Sequence, residues 1–231
     1  MHSTIRFPAV VAAAGIGSRM AADKPKQYLS IAGKTVLEHT LETLHQHPNI
    51  GDIVVVVHPE DAYFQSLPLA TAPWLTTVIG GKERADSVLA GLKTLNNDGW
   101  VLVHDAARPC ISHQDIDRLL AIYSEGIGGI LATPVRDTMK RASIQTPAQI
   151  AHSEDREGLW HALTPQFFPR QHLIEALEQC LEKGLNITDE ASAMEQTQQP
   201  VKLVEGAASN IKITRPADLA LAEFYLSRRE M

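Results

Sequence analysis

Five short stretches of this 231-residue chain carry residue types whose spacing could do chemistry. "AVVAAAGIGSRM" runs a small-residue apolar segment into Ala13, Ala14, Gly15 and Gly17, and Arg19, Lys24 and Lys26 follow. "LTTVIGGKERADSV" brings Gly80 and Gly81 up to Asp86 and Ser87, and "WVLVHDAARP" ends in Asp105, Ala106, Ala107 and Arg108. "PVRDTMKR" supplies Arg136, Asp137 and Thr138, and "NIKIT" supplies Lys212. The opening loop is neither common phosphate loop: a P-loop needs Gly-Lys-Ser/Thr after four spacers, and the dinucleotide fingerprint needs a third glycine. Small residues at Ala13, Ala14 and Gly15 let a ligand approach the backbone, whose N–H and C=O groups can read a flat base and cradle phosphates. Three cations (Arg19, Lys26, Lys212) and the carboxylate of Asp105 suit a nucleoside triphosphate with a divalent metal. That chemistry is mostly positioning and charge stabilisation.

These residues form one site only if the stretches end strands of an open α/β sheet, where ligands bind beyond the carboxyl ends. The pattern predicts this. "FPAVVAAA", "DIVVVVH", "LTTVIGG", "WVLVHDAARP" and "GGILATPV" read as strands. Helical patterns stand between them: Leu37, Leu41 and Leu44 share one face, as do Val88, Leu89, Leu92 and Leu95, and "HQDIDRLLAIYS" is a third helix. The alternation is that of a parallel α/β sheet. It breaks after Val135. Residues 136–157 have few large apolar residues, some alternation, and Thr146-Pro147 near the middle, so a hairpin arm standing off a single domain spanning 1–231 is expected. An exposed edge of that kind calls for a cover, and a partner subunit is the expected one, giving a homo-oligomer. Helix "RQHLIEALEQCLEKG", with Gly184 as C-cap, helix "TDEASAMEQT", strands "VKLVEG" and "NIKIT" and a last helix with Pro216 in its first turn complete the chain.

A formal charge of −6 argues against a nucleic-acid-binding surface without excluding a local cationic pocket. Cys110 and Cys180 stand far apart without metal spacing and read as thiols of a reducing compartment. No run approaches a membrane span. Arg6 and "FPAVVAAAG" resemble a secretory signal, but the apolar run is short and begins at Pro8, and the loop after it makes sense only at a strand end; a cytoplasmic protein is expected. Other polar residues have plainer readings. His104 alternates into the core as a satisfied buried histidine. Asp189 and Glu190 are acids favoured at a helix N-terminus. His45 and His47 lie on different helix faces, which argues against a metal site there.

Together, "AAAGIGSRM…KPKQYL", "GGKERADSV", "VHDAARP", "PVRDTMKR", "LWHALTPQFFP", "ITDEASA" and "NIKITRPADLALAE" resemble, in order and nearly end to end, the 2-C-methyl-D-erythritol 4-phosphate cytidylyltransferase family. The resemblance implies a Rossmann-like, mostly parallel sheet flanked by helices, of the nucleotide-diphospho-sugar transferase type, with a β-arm for dimerisation. It implies CTP and 2-C-methyl-D-erythritol 4-phosphate as substrates and Mg²⁺ or another divalent cation as cofactor. By the same resemblance, Arg19 and Lys26 stabilise the transition state, and Arg156 and Lys212 position the second substrate. Ala13, Ala14, Gly15, Gly81 and Ser87 hold the cytidine. Asp105, with Ala106 beside it, lies near metal and polyol, and Arg108 and Thr138 lie near the substrate phosphate. The arm would carry Arg156 to the neighbouring subunit's site. Two residues depart from the family pattern: Ala12 stands where proline is common, and Lys82 where a small or acidic residue is. A transferase for a pentitol phosphate shares the opening motifs. A silent nucleotide-binding module is disfavoured by Arg19, Lys26, Asp105 and Lys212, and a sugar transferase by the lack of an Asp-x-Asp at "HDAARP".

Overall fold

An unbroken β-branched run such as Ile53–Val57 is stable only between two apolar layers. In the computed structural model, which describes residues 5–15, 23–96 and 98–228, this is how it lies. The chain forms β1 (Phe7–Ala12), β2 (Ser30–Ile31), β3 (Lys34–Thr35), α1 (Val36–His45), β4 (Ile50–Val57), β5 (Leu75–Ile79), α2 (Arg84–Thr94), β6 (Trp100–Asp105) and α3 (His113–Leu120). There follow β7 (Gly129–Pro134), β8 (Met139–Ala142), β9 (Ile150–Glu154), β10 (Trp160–Pro169), α4 (Arg170–Glu182), α5 (Glu190–Gln196), β11 (Lys202–Glu205) and α6 (Pro216–Ser227). Seven strands make one sheet in the order β11-β7-β10-β6-β1-β4-β5. All neighbours run parallel except β10, which is antiparallel to β6 and β7.

Side-chain alternation along the strands splits the core into two layers. Ile53, Val55 and Val57 join Leu37, Leu41 and Leu44 of α1 and Ile116 and Leu119 of α3. Val54 and Val56 join Val88 and Leu92 of α2 and Leu173 and Leu177 of α4. Each such side chain contributes about 1.5–3 kcal/mol by burial. A capping box starts α1: Thr35 Oγ1 accepts from Glu38 N, and Glu38 Oε2 accepts from Thr35 N. Such a cap is worth about 1 kcal/mol. Gly184 follows α4 with φ of 62°, the left-handed conformation that a helix-ending glycine supplies.

Residues 136–157 form the expected hairpin. β8 and β9 pair antiparallel with each other alone, and β8 is exposed along its length. Two elements differ from expectation. "LWHALTPQFFP", which the sequence left without a strand, forms β10 in the middle of the sheet; its register shifts between Ala162 and Gln166, where Pro165 has no N–H to give. "NIKIT", expected as a strand, is irregular. Its alternation is real, since Ile211 and Ile213 pack into a third apolar cluster under α6. Its backbone groups serve other partners than a ladder: Ile213 N donates to Ala107 O at 2.8 Å, and Asn210 O accepts from Arg108.

Candidate active site

The carboxyl ends of β1, β5 and β6 converge on two cavities. One, of about 300 Å³, is lined by Ala12 to Gly15, Lys26, Gln27, the turn from Gly81 to Arg84, Ser87, Asp105 to Ala107 and Lys212. The other, of about 250 Å³, is lined by Arg84, Asp105, Arg108, Leu163, Thr164, Thr188, Asp189 and Lys212 among others. Arg84, Asp105 and Lys212 form the wall common to both. A larger cavity, about 610 Å³, opens at the amino ends of β1, β4 and β5 around His45 and Trp74. The cations and the buried carboxylate gather at the carboxyl ends, and the chemistry belongs with them.

Asp105, the last residue of β6, is 6% exposed and surrounded by cations. Its Oδ1 accepts from Arg84 Nε and Nη2 at 3.3 and 3.2 Å. Its Oδ2 accepts from Lys212 Nζ at 2.8 Å and Arg108 Nε at 3.4 Å. Burial opposes ionisation, but Arg84, Lys212 and Arg108 outweigh it and hold the carboxyl far below the usual carboxylate range. A carboxylate offers about four lone-pair positions, so these donors occupy it fully. A metal ion could take an oxygen only by displacing one donor. Lys212, with 37% of its side chain exposed against 9% for Arg108, is the one most easily released. Among the described residues no group of three or more His, Cys, Asp or Glu could hold a metal. Asp105 would offer a metal a single carboxylate, a donor compatible with Mg²⁺, which keeps several waters and takes one or two carboxylates together with substrate phosphates.

The nucleotide-facing wall is built by close approach. A Cβ on Gly80 would stand 2.6 Å from Ser87 Oγ and 2.9 Å from Ala14 Cβ, so only glycine lets β5 turn here. Ser87 Oγ accepts from Gly81 N at 3.1 Å and donates to Glu83 O at 3.0 Å, ordering the turn. Gln27, 3% exposed, donates through Nε2 to Ala13 O at 2.7 Å and Gly15 O at 3.0 Å, fixing the end of β1. Lys26 Nζ donates to Ile213 O at 2.8 Å, tying it to the segment that carries Lys212.

A second network sets the end of β6. Thr164 Oγ1 accepts from Asp105 N at 3.0 Å and meets His104 Nδ1 at 2.9 Å, while His104 Nε2 meets Arg108 O at 3.2 Å. The carbonyl can only accept, so Nε2 carries the ring proton and Nδ1 accepts from Thr164. Complete burial pushes the imidazole down to about 4, although Asp105 and the Arg108 carbonyl favour its charged form. This is the satisfied buried histidine expected from the sequence.

Of the residues singled out in the sequence, the structure brings Ala13, Ala14, Gly15, Lys26, Gly81, Ser87, Asp105, Ala106 and Lys212 to one cavity. Arg108 lines the second cavity, yet it is only 8% exposed. Its guanidinium donates to Asn210 O at 2.8 Å and Asp105, fastening two loops. Thr138 and Arg156 lie exposed on the arm and line neither cavity; Arg156 donates to the Arg136 carbonyl. Arg19 lies outside the described residues. The sequence reading missed Arg84, Gln27 and the depth of Glu190. Arg84 Nη1 and Nη2 donate to Glu190 Oε1 and Oε2 at 2.6 and 3.0 Å, and Glu190 is fully buried. A signal for Arg84 existed: a cation at the first position of a helix is electrostatically misplaced unless a carboxylate answers it.

The sequence matches the family model described as 2-C-methyl-D-erythritol 4-phosphate cytidylyltransferase over residues 7–228. The protein of that name from Pseudoalteromonas atlantica is 59% identical over 231 residues, which covers 99% of each chain. That from Vibrio vulnificus is 58% identical, over 99% of this chain and 98% of its own. A crystal structure of 4-diphosphocytidyl-2C-methyl-D-erythritol synthase is 37% identical and superimposes with a TM-score of 0.82, covering 96% of this chain and 99% of its own. The 2-C-methyl-D-erythritol 4-phosphate cytidylyltransferase of Thermus thermophilus is 30% identical with a TM-score of 0.81, over 97% of this chain and all of its own.

Proposed function

The chain belongs to the 2-C-methyl-D-erythritol 4-phosphate cytidylyltransferase family, and from that premise we propose how its residues divide the work of the reaction. The enzyme transfers a cytidylyl group from CTP to 2-C-methyl-D-erythritol 4-phosphate, a step of non-mevalonate isoprenoid biosynthesis. A phosphate oxygen of the acceptor attacks the α-phosphorus of CTP. The bond from that phosphorus to the oxygen bridging to the β-phosphate breaks, and pyrophosphate leaves with the electron pair. The nucleophile is already an anion, so no side chain need take a proton; the protein's task is to bring two anions together and stabilise the charge that develops.

The observation that carries the reading is the shared wall of Arg84, Asp105 and Lys212 between two cavities. The cavity walled by Ala13, Ala14, Gly15, Gly81 and Ser87, whose small side chains leave room beside the main chain, suits the cytidine of CTP. The polar cavity beside Thr164, Thr188 and Arg108 suits a polyol phosphate. Lys212, reaching both, lies where the two phosphates must meet. Lys26, with Arg19 from the preceding loop, would stabilise the charge on the transferring group. Asp105 would help to hold Mg²⁺ beside the CTP phosphates once Lys212 moves off, and the ion would supply charge neutralisation there. Arg156 and Thr138 would act through the arm on a neighbouring subunit in a homodimer. Mixing Arg156→Ala with Lys212→Ala chains would then give activity above that of either variant alone. The cytoplasm is the expected compartment, in keeping with two buried free cysteines; no described helix is long and apolar enough to cross a membrane.

Pyrophosphate release from CTP and Mg²⁺ is the test, with 2-C-methyl-D-erythritol 4-phosphate and ribitol 5-phosphate as competing acceptors. Release with the first and little with the second is expected. Preference for the pentitol phosphate would overturn the assignment of the acceptor.

A further inference from the structure

Glu190 lines neither cavity, yet it is fully buried behind both. A buried carboxylate is stable only when paired and hydrogen-bonded. Its partner is the Arg84 guanidinium, held fork to fork. The same guanidinium turns its Nε and Nη2 to Asp105 Oδ1. The other end of the chain of contacts is fastened to the sheet. Gln166 of β10, 1% exposed, accepts from Ala191 N through Oε1 at 2.8 Å and donates through Nε2 to Asp189 Oδ2 at 2.8 Å. Asp189 in turn accepts from Ser192 N at 3.0 Å. The first turn of α5 is thereby pinned to a central strand, and Glu190 with it.

We propose that Glu190 and Arg84 are positioning residues for the transfer: Glu190 holds Arg84 as the standing counter-ion of Asp105, so that Lys212 can exchange from that carboxylate to the phosphate of the incoming acceptor. The division of oxygens supports this. Arg84 takes Oδ1, Lys212 takes Oδ2, and Lys212 is the more exposed of the two cations. Without Arg84, the ionised Asp105 would retain Lys212 as a principal partner, and the acceptor would have to compete for it. Glu190 would act on the acceptor without touching it.

The proposal rests on the cytidylyltransferase assignment, and turnover by the unaltered enzyme is the separate control: its absence overturns the assignment and the proposal together. The variants are Glu190→Gln, Arg84→Met and the double variant, measured for KM of each substrate, kcat and thermal unfolding. Glu190→Gln should raise KM for 2-C-methyl-D-erythritol 4-phosphate by about tenfold, the worth of one charge-assisted hydrogen bond, with KM for CTP changed less than about threefold. Arg84→Met leaves the buried Glu190 without its cation and should unfold at lower temperature, whereas Glu190→Gln, in which Arg84 keeps Asp105, should lose less. The double variant should regain most of that stability and keep the raised acceptor KM. Recovery of both in the double variant would mean a structural pair and would overturn the proposal, as would an acceptor KM within about twofold of the parent in Glu190→Gln. Should the methionine variants fail to fold, Arg84→Lys keeps the charge and loses the fork; an unchanged acceptor KM there would overturn the proposal equally.

Discussion

Asp105→Asn removes one negative charge, keeps the shape, and leaves Arg84, Arg108 and Lys212 crowded together. The magnitude follows from the exposure of each cation. Lys212 is over a third exposed and can turn to water, so its pair contributes about 0–1 kcal/mol. Arg84 keeps its fork to Glu190. Arg108, only 8% exposed, keeps two carbonyls and loses its one carboxylate. Breaking one partner of a buried pair costs about 3–5 kcal/mol, and the long 3.4 Å contact puts this case near the lower figure. For a chain of this size about 3 kcal/mol corresponds to a fall in Tm of roughly 6–12 °C. Urea unfolding with a thermal scan would measure it. The variant should also respond to anions, because three cations then share only the Glu190 carboxylate, which is held by Arg84: added inorganic phosphate should raise its Tm more than the parent's. A variant as stable as the parent, with the same phosphate response, would refute this electrostatic account.

Gln27→Leu removes both hydrogen bonds that fix Ala13 and Gly15, at a cost of about 1–3 kcal/mol, and should raise KM for CTP several-fold while KM for the acceptor changes little. His104 is pushed from 6.5 down to about 4 by burial, so below pH 6.5 the unfolded chain binds a proton that the folded chain refuses. The stability that this provides is fully present above pH 6.5 and is lost as pH falls towards 4, by about 3 kcal/mol, which unfolding free energies across that window would show. An imidazole that titrates near 6.5 by NMR would contradict it. Gly80→Ala would press a methyl group onto Ser87 and Ala14 at the cleft wall; overpacking of that kind costs about 1–3 kcal/mol and should weaken CTP binding, measured by calorimetry.

The parallel strands were legible because burial on both faces leaves continuous β-branched runs, as in Ile53–Val57, and the helices because Leu37, Leu41 and Leu44 repeat at helical spacing. β10 was not, since Pro165 interrupts the run and its antiparallel place between β6 and β7 depends on long-range pairing that no local pattern records. "NIKIT" misled for a physical reason: Ile211 and Ile213 alternate with Lys212 as in a strand, but the backbone bonds to Ala107 and Arg108 rather than to a ladder. The strand-end rule placed Asp105 correctly; Lys26 and Lys212 reach the same cavity, Lys212 from an irregular segment rather than from a strand end. It could not give Arg84 to Asp105 and Glu190, because those partners are far apart in sequence and meet only through the packing of α2 and α5 against the sheet. Asp189 and Glu190 looked alike as helix-start acids. The fold separates them: one caps α5, the other is buried behind Arg84.

Lys212 serves both cavities and, in the proposed reaction, joins two anionic substrates. Steady-state kinetics of Lys212→Ala, with CTP affinity measured separately by calorimetry, tests this role most directly. The expected result is a rise of at least about tenfold in KM for 2-C-methyl-D-erythritol 4-phosphate and a lower kcat, with CTP binding changed only a few-fold. Loss of CTP affinity with an unchanged acceptor KM and kcat would contradict it.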